Sequence, residues 1–426
     1  MPEKGGKGFR GRIVPDGHMA PPAALRPRHM SASRSSHPTV SRWPPREGYS
    51  KGDVALADSP SVIDPVRRRA WRWRRTFAGT RHGEIVPRLL AALSALSVLL
   101  VATSILSASI GPYNIPLSHV AGIGMSHVGI DFSSHTRTEQ LVVEQLRLPR
   151  VVIAALVGMA LAVAGATMQA LFRNPMADPG IIGVSSGAAT GAVVAIAFGL
   201  STTLPWSLPA FAFVGALGAS FLVYGIAMVG GRFSMATLLL AGVAVGAFLT
   251  AVISTILALV PNDENLRGII YWLAGGLAGS SWAYVRLVSL PIVGGTLLLI
   301  LYGRDLNLLL LGDDIARSSG VNVQRTRTLL LVAASVVTGS AVAVSGTIGF
   351  VGLVVPHVFR LILGPDHRLL LPASALGGAC FLLLADTIAR LVVRPAELQV
   401  GMVTAFVGAP FFVLLLIRNN RRAESF

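Results

Sequence analysis

Few residues in this chain stand where they could do chemistry. Asp386 and Arg390 are four apart inside an apolar stretch, a spacing that puts an acid and a base on one helix face. Ionisable groups inside a membrane segment mark function by default. The plainer reading is a local ion pair near a helix end, from which Arg390 snorkels to water. Arg286 lies near the end of its own apolar segment. His357 follows Pro356 in a short apolar piece. It has the chemistry of a ligand or proton carrier, but a hydrogen-bonded packing histidine explains it better. Ser345 and His357 are the one arguable nucleophile–base pair, and nothing in the sequence orients them. No phosphate-loop pattern, Gly-x-x-x-x-Gly-Lys-[Ser/Thr], occurs, and no His-Glu-x-x-His occurs. The 9 histidines are scattered, and Cys380 is the single cysteine, which excludes a disulfide framework or a cysteine-rich metal site. We therefore expect no catalytic residue, no metal site and no cofactor. No carboxylate falls near the middle of an apolar segment, which argues against an ion-coupled secondary carrier.

The elements that carry these residues are set by composition. Of 426 residues, 53% are hydrophobic and 13% charged, and the mean hydropathy is +0.65. A soluble domain carries about 25% charged residues. A soluble enzyme and a disordered chain are both excluded, and a polytopic membrane protein is expected. The net charge of +16 is uneven: residues 1–88 hold 18 basic and 7 acidic side chains, and the rest hold 18 and 13. Residues 1–85, rich in Pro, Gly, Ser and Arg, read as a disordered basic tail. Its densest run, Arg67 to Arg75, interleaves Trp and Arg. A membrane span follows at once, so the run reads as a juxtamembrane segment on anionic lipid and not as a nucleic-acid site.

A spanning helix needs about 20 apolar residues. Spans are expected at 89–110, 150–171, 180–200, 206–230, 236–260, 282–302, 328–348, 369–391 and 398–417, with a short tenth at 350–363. Residues 268–280 are too short and Gly-rich to span and read as a re-entrant or interfacial piece. With the basic tail in the cytoplasm, the cytoplasmic connections hold most of the arginines, and ten spans put both termini inside. Ala162-Val163-Ala164-Gly165 with Pro175 is echoed by Ala343-Val344-Ser345-Gly346 with Pro356, in the opposite sense across the membrane. That is the pattern of an inverted repeat. Small residues at spacings of three and four, such as Gly158, Ala162 and Gly165, predict close helix packing. Hydroxyl side chains including Ser186, Thr190, Thr250 and Ser254 would suit a path that grips its cargo weakly. The connection 303–327 runs from an apolar stretch through Gly312 to Asp313-Asp314 and Gly320. It reads as two short helices, a docking knob for a soluble partner or an ordinary linker.

Several stretches together resemble the permease subunits of ABC importers for ferric siderophores, haem and cobalamin, the FecCD-type family. They are Leu146-Arg147-Leu148-Pro149-Arg150, Met168 to Gly180, Tyr271 to Gly276, Gly346 to His357, Gly364 to Arg368, and Pro395 to Gly401 with Gly408 to Phe412. They run in the family's order over about residues 89–420. The resemblance implies an all-α type II ABC importer permease fold of ten helices over 86–420, in the bacterial inner membrane. It implies a second permease subunit, two cytoplasmic ATP-binding subunits and an extracytoplasmic substrate-binding protein, with the path at the dimer interface. It implies that the coupling loop docks in the ATPase through Leu311, Gly312, Ala316, Arg317 and Gly320. It also implies that Arg147, Arg150 and Arg390 pair with acidic residues of the binding protein. Ferric siderophore is the expected cargo, with cobalamin or haem as the alternative. Ser319 stands where the family's coupling segment has Leu, and Gln399 where it has Pro, so contacts at those two points are expected to differ.

Overall fold

A computed structural model describes residues 82–424, apart from Pro112, residues 127–128 and 130–134, Pro205, and residues 230–233 and 394–395. The basic tail expected over 1–85 lies outside the described residues as far as Arg81.

Every described element is helical. The long ones are α1 (His82–Ser109), α3 (Arg137–Leu171), α5 (Ser207–Ala227), α6 (Met235–Leu259), α8 (Trp282–Leu301), α11 (Val323–Ser345) and α13 (His367–Leu391). These are the 7 helices among the described residues that are long and apolar enough to cross a membrane. Shorter apolar helices are α4 (Val184–Ala197), α12 (Val351–Leu363) and α14 (Val400–Glu424, apolar to Leu415). The other pieces are α2 (Leu117–Ser126), α7 (Asp263–Leu273), α9 (Gly303–Leu311) and α10 (Asp313–Ser318), with single turns at Pro179–Ile182 and Leu200–Thr203. The starts follow capping chemistry. Ser234, Asn262, Ser281, Asn322 and Asp366 each accept a backbone N–H of the first turn. Thr136 and Glu139 form a reciprocal capping box that opens α3.

The span expected at 150–171 therefore begins earlier, at Arg137, because that capping box nucleates the helix ahead of the apolar run. The span expected at 180–200 is cut to α4 by the glycine turn at Gly183 and the end at Phe198. The piece expected at 268–280 is the amphipathic α7 followed by a tight turn. In that turn Gly276 N–H donates to the Ser345 carbonyl and Gly401 N–H to the Gly275 carbonyl. Three chain breaks thus satisfy one another's backbone groups, as broken helices at membrane depth must.

The centre is α3 packed between α13, α12 and α11, while α1 lies mostly exposed on the flank. With lipid outside, helices gain little from hiding apolar surface and instead pack by close approach of small residues. A Cβ on Gly158 would lie 2.2 Å from the Gly378 carbonyl oxygen, and one on Gly165 would lie 2.2 Å from that of Gly352. Neither position has room for any side chain. Gly158→Val is expected to cost about 1–3 kcal/mol through overpacking. Gly218→Ala, where a Cβ meets nothing within 4 Å, is expected to be neutral or slightly stabilising. Thermal unfolding of the two variants in detergent checks the difference.

Candidate functional site

Polar side chains gather at the two ends of the bundle. At one end lies the 303–327 connection, with α9 and α10. Gly312 breaks the chain between α9 and α10 with φ 128 and ψ 155, a conformation that favours glycine. Asp313 follows as the first residue of α10 and accepts from two arginines. Arg173, just past α3, reaches Asp313 at 2.7 Å and the Leu309 carbonyl at 2.6 Å. Arg327 of α11 forks onto the same carboxylate at 2.7 and 2.9 Å. One carboxylate therefore ties the loop to the ends of α3 and α11. Burial acts to raise the Asp313 pKa, but hydrogen bonds and charge from Arg327, then Arg173, outweigh it and hold it below the usual aspartate value.

The far side of the loop is open. Leu311 is 52% and Ile315 48% exposed. Ala316 is fully buried beneath them. Arg317 is exposed, with a long 3.5 Å contact to Asp314. At the end of α10, Val321 N–H bonds back to the Ala316 carbonyl and Gly320 N–H to that of Arg317. This is a Schellman cap, with Gly320 at φ 87. It closes the helix at the Ser319-Gly320 pair without needing the family's leucine. Asn307 of α9 bonds to Asp366 at 2.6 Å and accepts the His367 N–H at 3.0 Å, which joins the loop to α13. Deeper in, Gln169 donates to the Gly352 carbonyl and accepts from Arg360.

At the opposite end sit Arg147, Arg150 and Arg390. A π-helical turn over Val142–Arg147 interrupts α3, ending on Arg147 and preceding Arg150; such turns cluster at functional sites. Arg147 is 8% exposed and donates to the carbonyls of Ala108, Ser109 and Tyr113. Arg390 is 7% exposed and donates to the Ile110 and Ser107 carbonyls. The last carbonyls of α1 have no intrahelical partner, and these two guanidiniums supply donors to them. Arg390 therefore turns inward and does not snorkel. It lies 3.1 Å from Asp386, as the four-residue spacing implies. Asp386 also takes Arg150 from α3, which spans on to Glu397 at 2.8 Å. Of the three arginines, Arg150 is the most accessible.

The remaining candidates separate. The Ser345 hydroxyl donates to the Ala341 carbonyl, and the His357 ring meets Phe411 edge-on at 6.0 Å. They form no pair. The hydroxyls of Thr190, Thr250 and Ser254 each bond back along their own helix. Among the described residues no group of three His, Cys, Asp or Glu could hold a metal ion.

The profile of the FecCD transport family matches residues 99–418. The chain belongs to the FecCD transport family. The cobalamin import system permease protein of Halobacterium salinarum is 45% identical over 372 residues, covering 80% of this chain and 99% of that one. The hemin transport system permease protein of Yersinia pestis is 40% identical over 354 residues, covering 80% and 99%. A solved transporter in an inward-facing conformation, described as of metal-chelate type, superposes with a TM-score of 0.68 at 33% identity. It covers 76% of this chain and 98% of its own. This FecCD chain is thus a multi-pass membrane permease subunit of an ATP-driven ABC importer, with no catalysis of its own.

Sequence reasoning missed Asp313 as a hub, along with Asn307 and Glu397. Asp313 was visible only as an acidic first turn, and its two partners come from 140 residues before and 14 after. Because its pKa is depressed by folding, the Asp313 contribution is present above the ordinary value of 3.8 and is lost as pH falls through the depressed value. Asp313→Asn is expected to speed amide hydrogen exchange across 308–320 severalfold at neutral pH. The gap from the native chain closes once Asp313 itself is protonated. Hydrogen-exchange mass spectrometry at the two pH values reads this directly.

Proposed function

We propose that this permease carries a metal-centred tetrapyrrole, cobalamin or haem, through a path at the interface of two permease subunits. The support is the 45% identity to a cobalamin permease together with the 40% identity to a hemin permease, each matched almost end to end. Ferric siderophore, the first expectation from the sequence, becomes the second reading; the solved metal-chelate transporter keeps it open. Ten spans are read here from the seven long and three short apolar helices, with the inverted repeat relating the α3 and α11 regions. The coupling-loop end faces the cytoplasm of the inner membrane, as does the chain's N-terminus.

The mechanism follows from the two ends. ATP binding on two partner subunits closes them, and Leu311, Gly312, Ala316, Arg317 and Gly320 form the surface on which that closure acts. Leu311, Ile315 and Arg317 are exposed for contact, while Ala316 and the two glycines shape the helix that presents them. Asp313 passes the push to α3 and α11. On the outer face, an extracytoplasmic binding protein delivers cargo to the cluster of Arg147, Arg150 and Arg390. Two of the guanidiniums, Arg150 and Arg390, face Asp386 and Glu397, and Arg147 adds a third positive charge beside them. The excess positive charge steers an acidic surface and sets its register more than it adds affinity. Arg147 and Arg390 hold the platform, and Arg150 meets the partner.

Cells lacking this chain are expected to lose ATP-dependent uptake of radiolabelled cobalamin or haem and to keep that of ferric siderophores. Loss of siderophore uptake alone would reverse the cargo order. Uptake that survives ATP depletion but stops with the proton gradient would contradict the importer itself. Glu397→Gln, which frees one side of Arg150, is expected to raise the association rate of the binding protein at low salt. The gain should fade above about 0.15 M salt. Stopped-flow binding at two ionic strengths checks it.

A further inference from the structure

A groove runs along the flank of the bundle between α5, α8 and α11, with a volume of about 860 Å³. Its walls are apolar for most of their length, from Leu290 and Pro291 to Val332 and Val336. Two features make it a groove and not a seam. Gly294 faces into it, and a Cβ there would meet nothing within 4 Å. Next to it Gly295 packs so closely that its Cβ would lie 2.4 Å from Val337. One glycine thus brings α8 onto α11 while its neighbour leaves a slot beside the contact.

The mouth of the groove is polar and sits at the coupling-loop end. Midway, the Tyr224 and Thr328 hydroxyls are 2.7 Å apart and satisfy each other. Gln324 reaches the Met228 sulfur at 3.7 Å. Arg325 lines the mouth and is exposed. Its guanidinium has no ion-pair partner among the described residues, whereas Arg173 and Arg327 nearby are spent on Asp313. The mouth also lies at the N-terminus of α11, where Asn322 caps the Arg325 N–H and the helix dipole is positive. A long apolar slot ending in an unpaired cation matches a ligand with an acyl chain and an anionic head.

We propose that this groove is a binding site for an anionic phospholipid of the cytoplasmic leaflet. The acyl chain lies along Gly294 and Pro291, and the phosphate meets Arg325 and the first turn of α11. The leaflet assignment rests on the orientation proposed above, since the cytoplasmic leaflet is the one with a negative surface. Binding to the purified chain does not depend on orientation, so the two readings fail separately.

The test is native mass spectrometry of the full chain in detergent, titrated with phosphatidylglycerol or phosphatidylcholine of identical acyl chains. Phosphatidylglycerol is expected to be retained over phosphatidylcholine. Arg325→Gln is expected to lower its retention about fivefold, the factor for one interfacial arginine. Gly294→Leu, whose Cβ meets nothing within 4 Å and whose side chain extends into the slot, is expected to displace both lipids from this site. Arg304→Gln, an exposed arginine at the same end but outside the groove, is expected to change nothing. Equal retention of the two lipids, or an equal loss in Arg304→Gln, would overturn the proposal. So would release of a second copy of the chain by Gly294→Leu, which would make the groove a subunit interface.

Discussion

Backbone polar groups inside a bilayer find no water, and the architecture of this permease follows from that shortage. Its helices are broken at several points, and each break needs a partner. The turns at Gly275–Gly276, Gly346–Thr347 and Gln399–Gly401 converge and bond to one another. The buried C-terminal end of α1 is satisfied by Arg147 and Arg390, which arrive from two other helices. The glycine contacts of α3 with α12 and α13 make these meetings possible, because only bare backbones come close enough. Residues with no side chain set the distances, and residues with the richest donor set close the gaps.

Much of this was legible in the sequence because membrane constraints are written in long runs. The apolar segments, the two short helices around Gly312 and the close glycine packing all follow from length and spacing. The positions of α5, α6, α8 and α13 agree with the expected spans to within a few residues. What was not legible depends on partners remote in sequence. Arg147, read as a surface residue, is buried because the end of α1 lies beside it. Asp313 reads as a helix-start acid, and its role appears only when α3 and α11 bring arginines to it. The 137–147 extension of α3 was missed because its cap lies in a polar stretch where hydropathy carries no signal.

The departure at Ser319 in the 303–327 connection shows how local chemistry absorbs change. The loop lacks the leucine expected at position 319, yet α10 still terminates in a complete Schellman cap. Its geometry is set by Gly320 and by the buried Ala316, not by the side chain at position 319. The apolar side chains exposed nearby are Leu311 and Ile315.

One further consequence comes from the length of α3. It has 35 residues, about 52 Å of helix at 1.5 Å per residue, with one π-helical turn at Val142–Arg147. Arg147 and Arg150 stand in its first half, 10 and 13 residues past its start at Arg137, and Arg173 stands just beyond its other end. Guanidinium contacts engage it at those points, and backbone crossings at Gly158 and Gly165 hold it between them. Such a rod behaves as a beam pivoting on a central bearing. A small tilt imposed at one tip must reappear, reversed in direction, at the other, with no chain of rotamer changes between them.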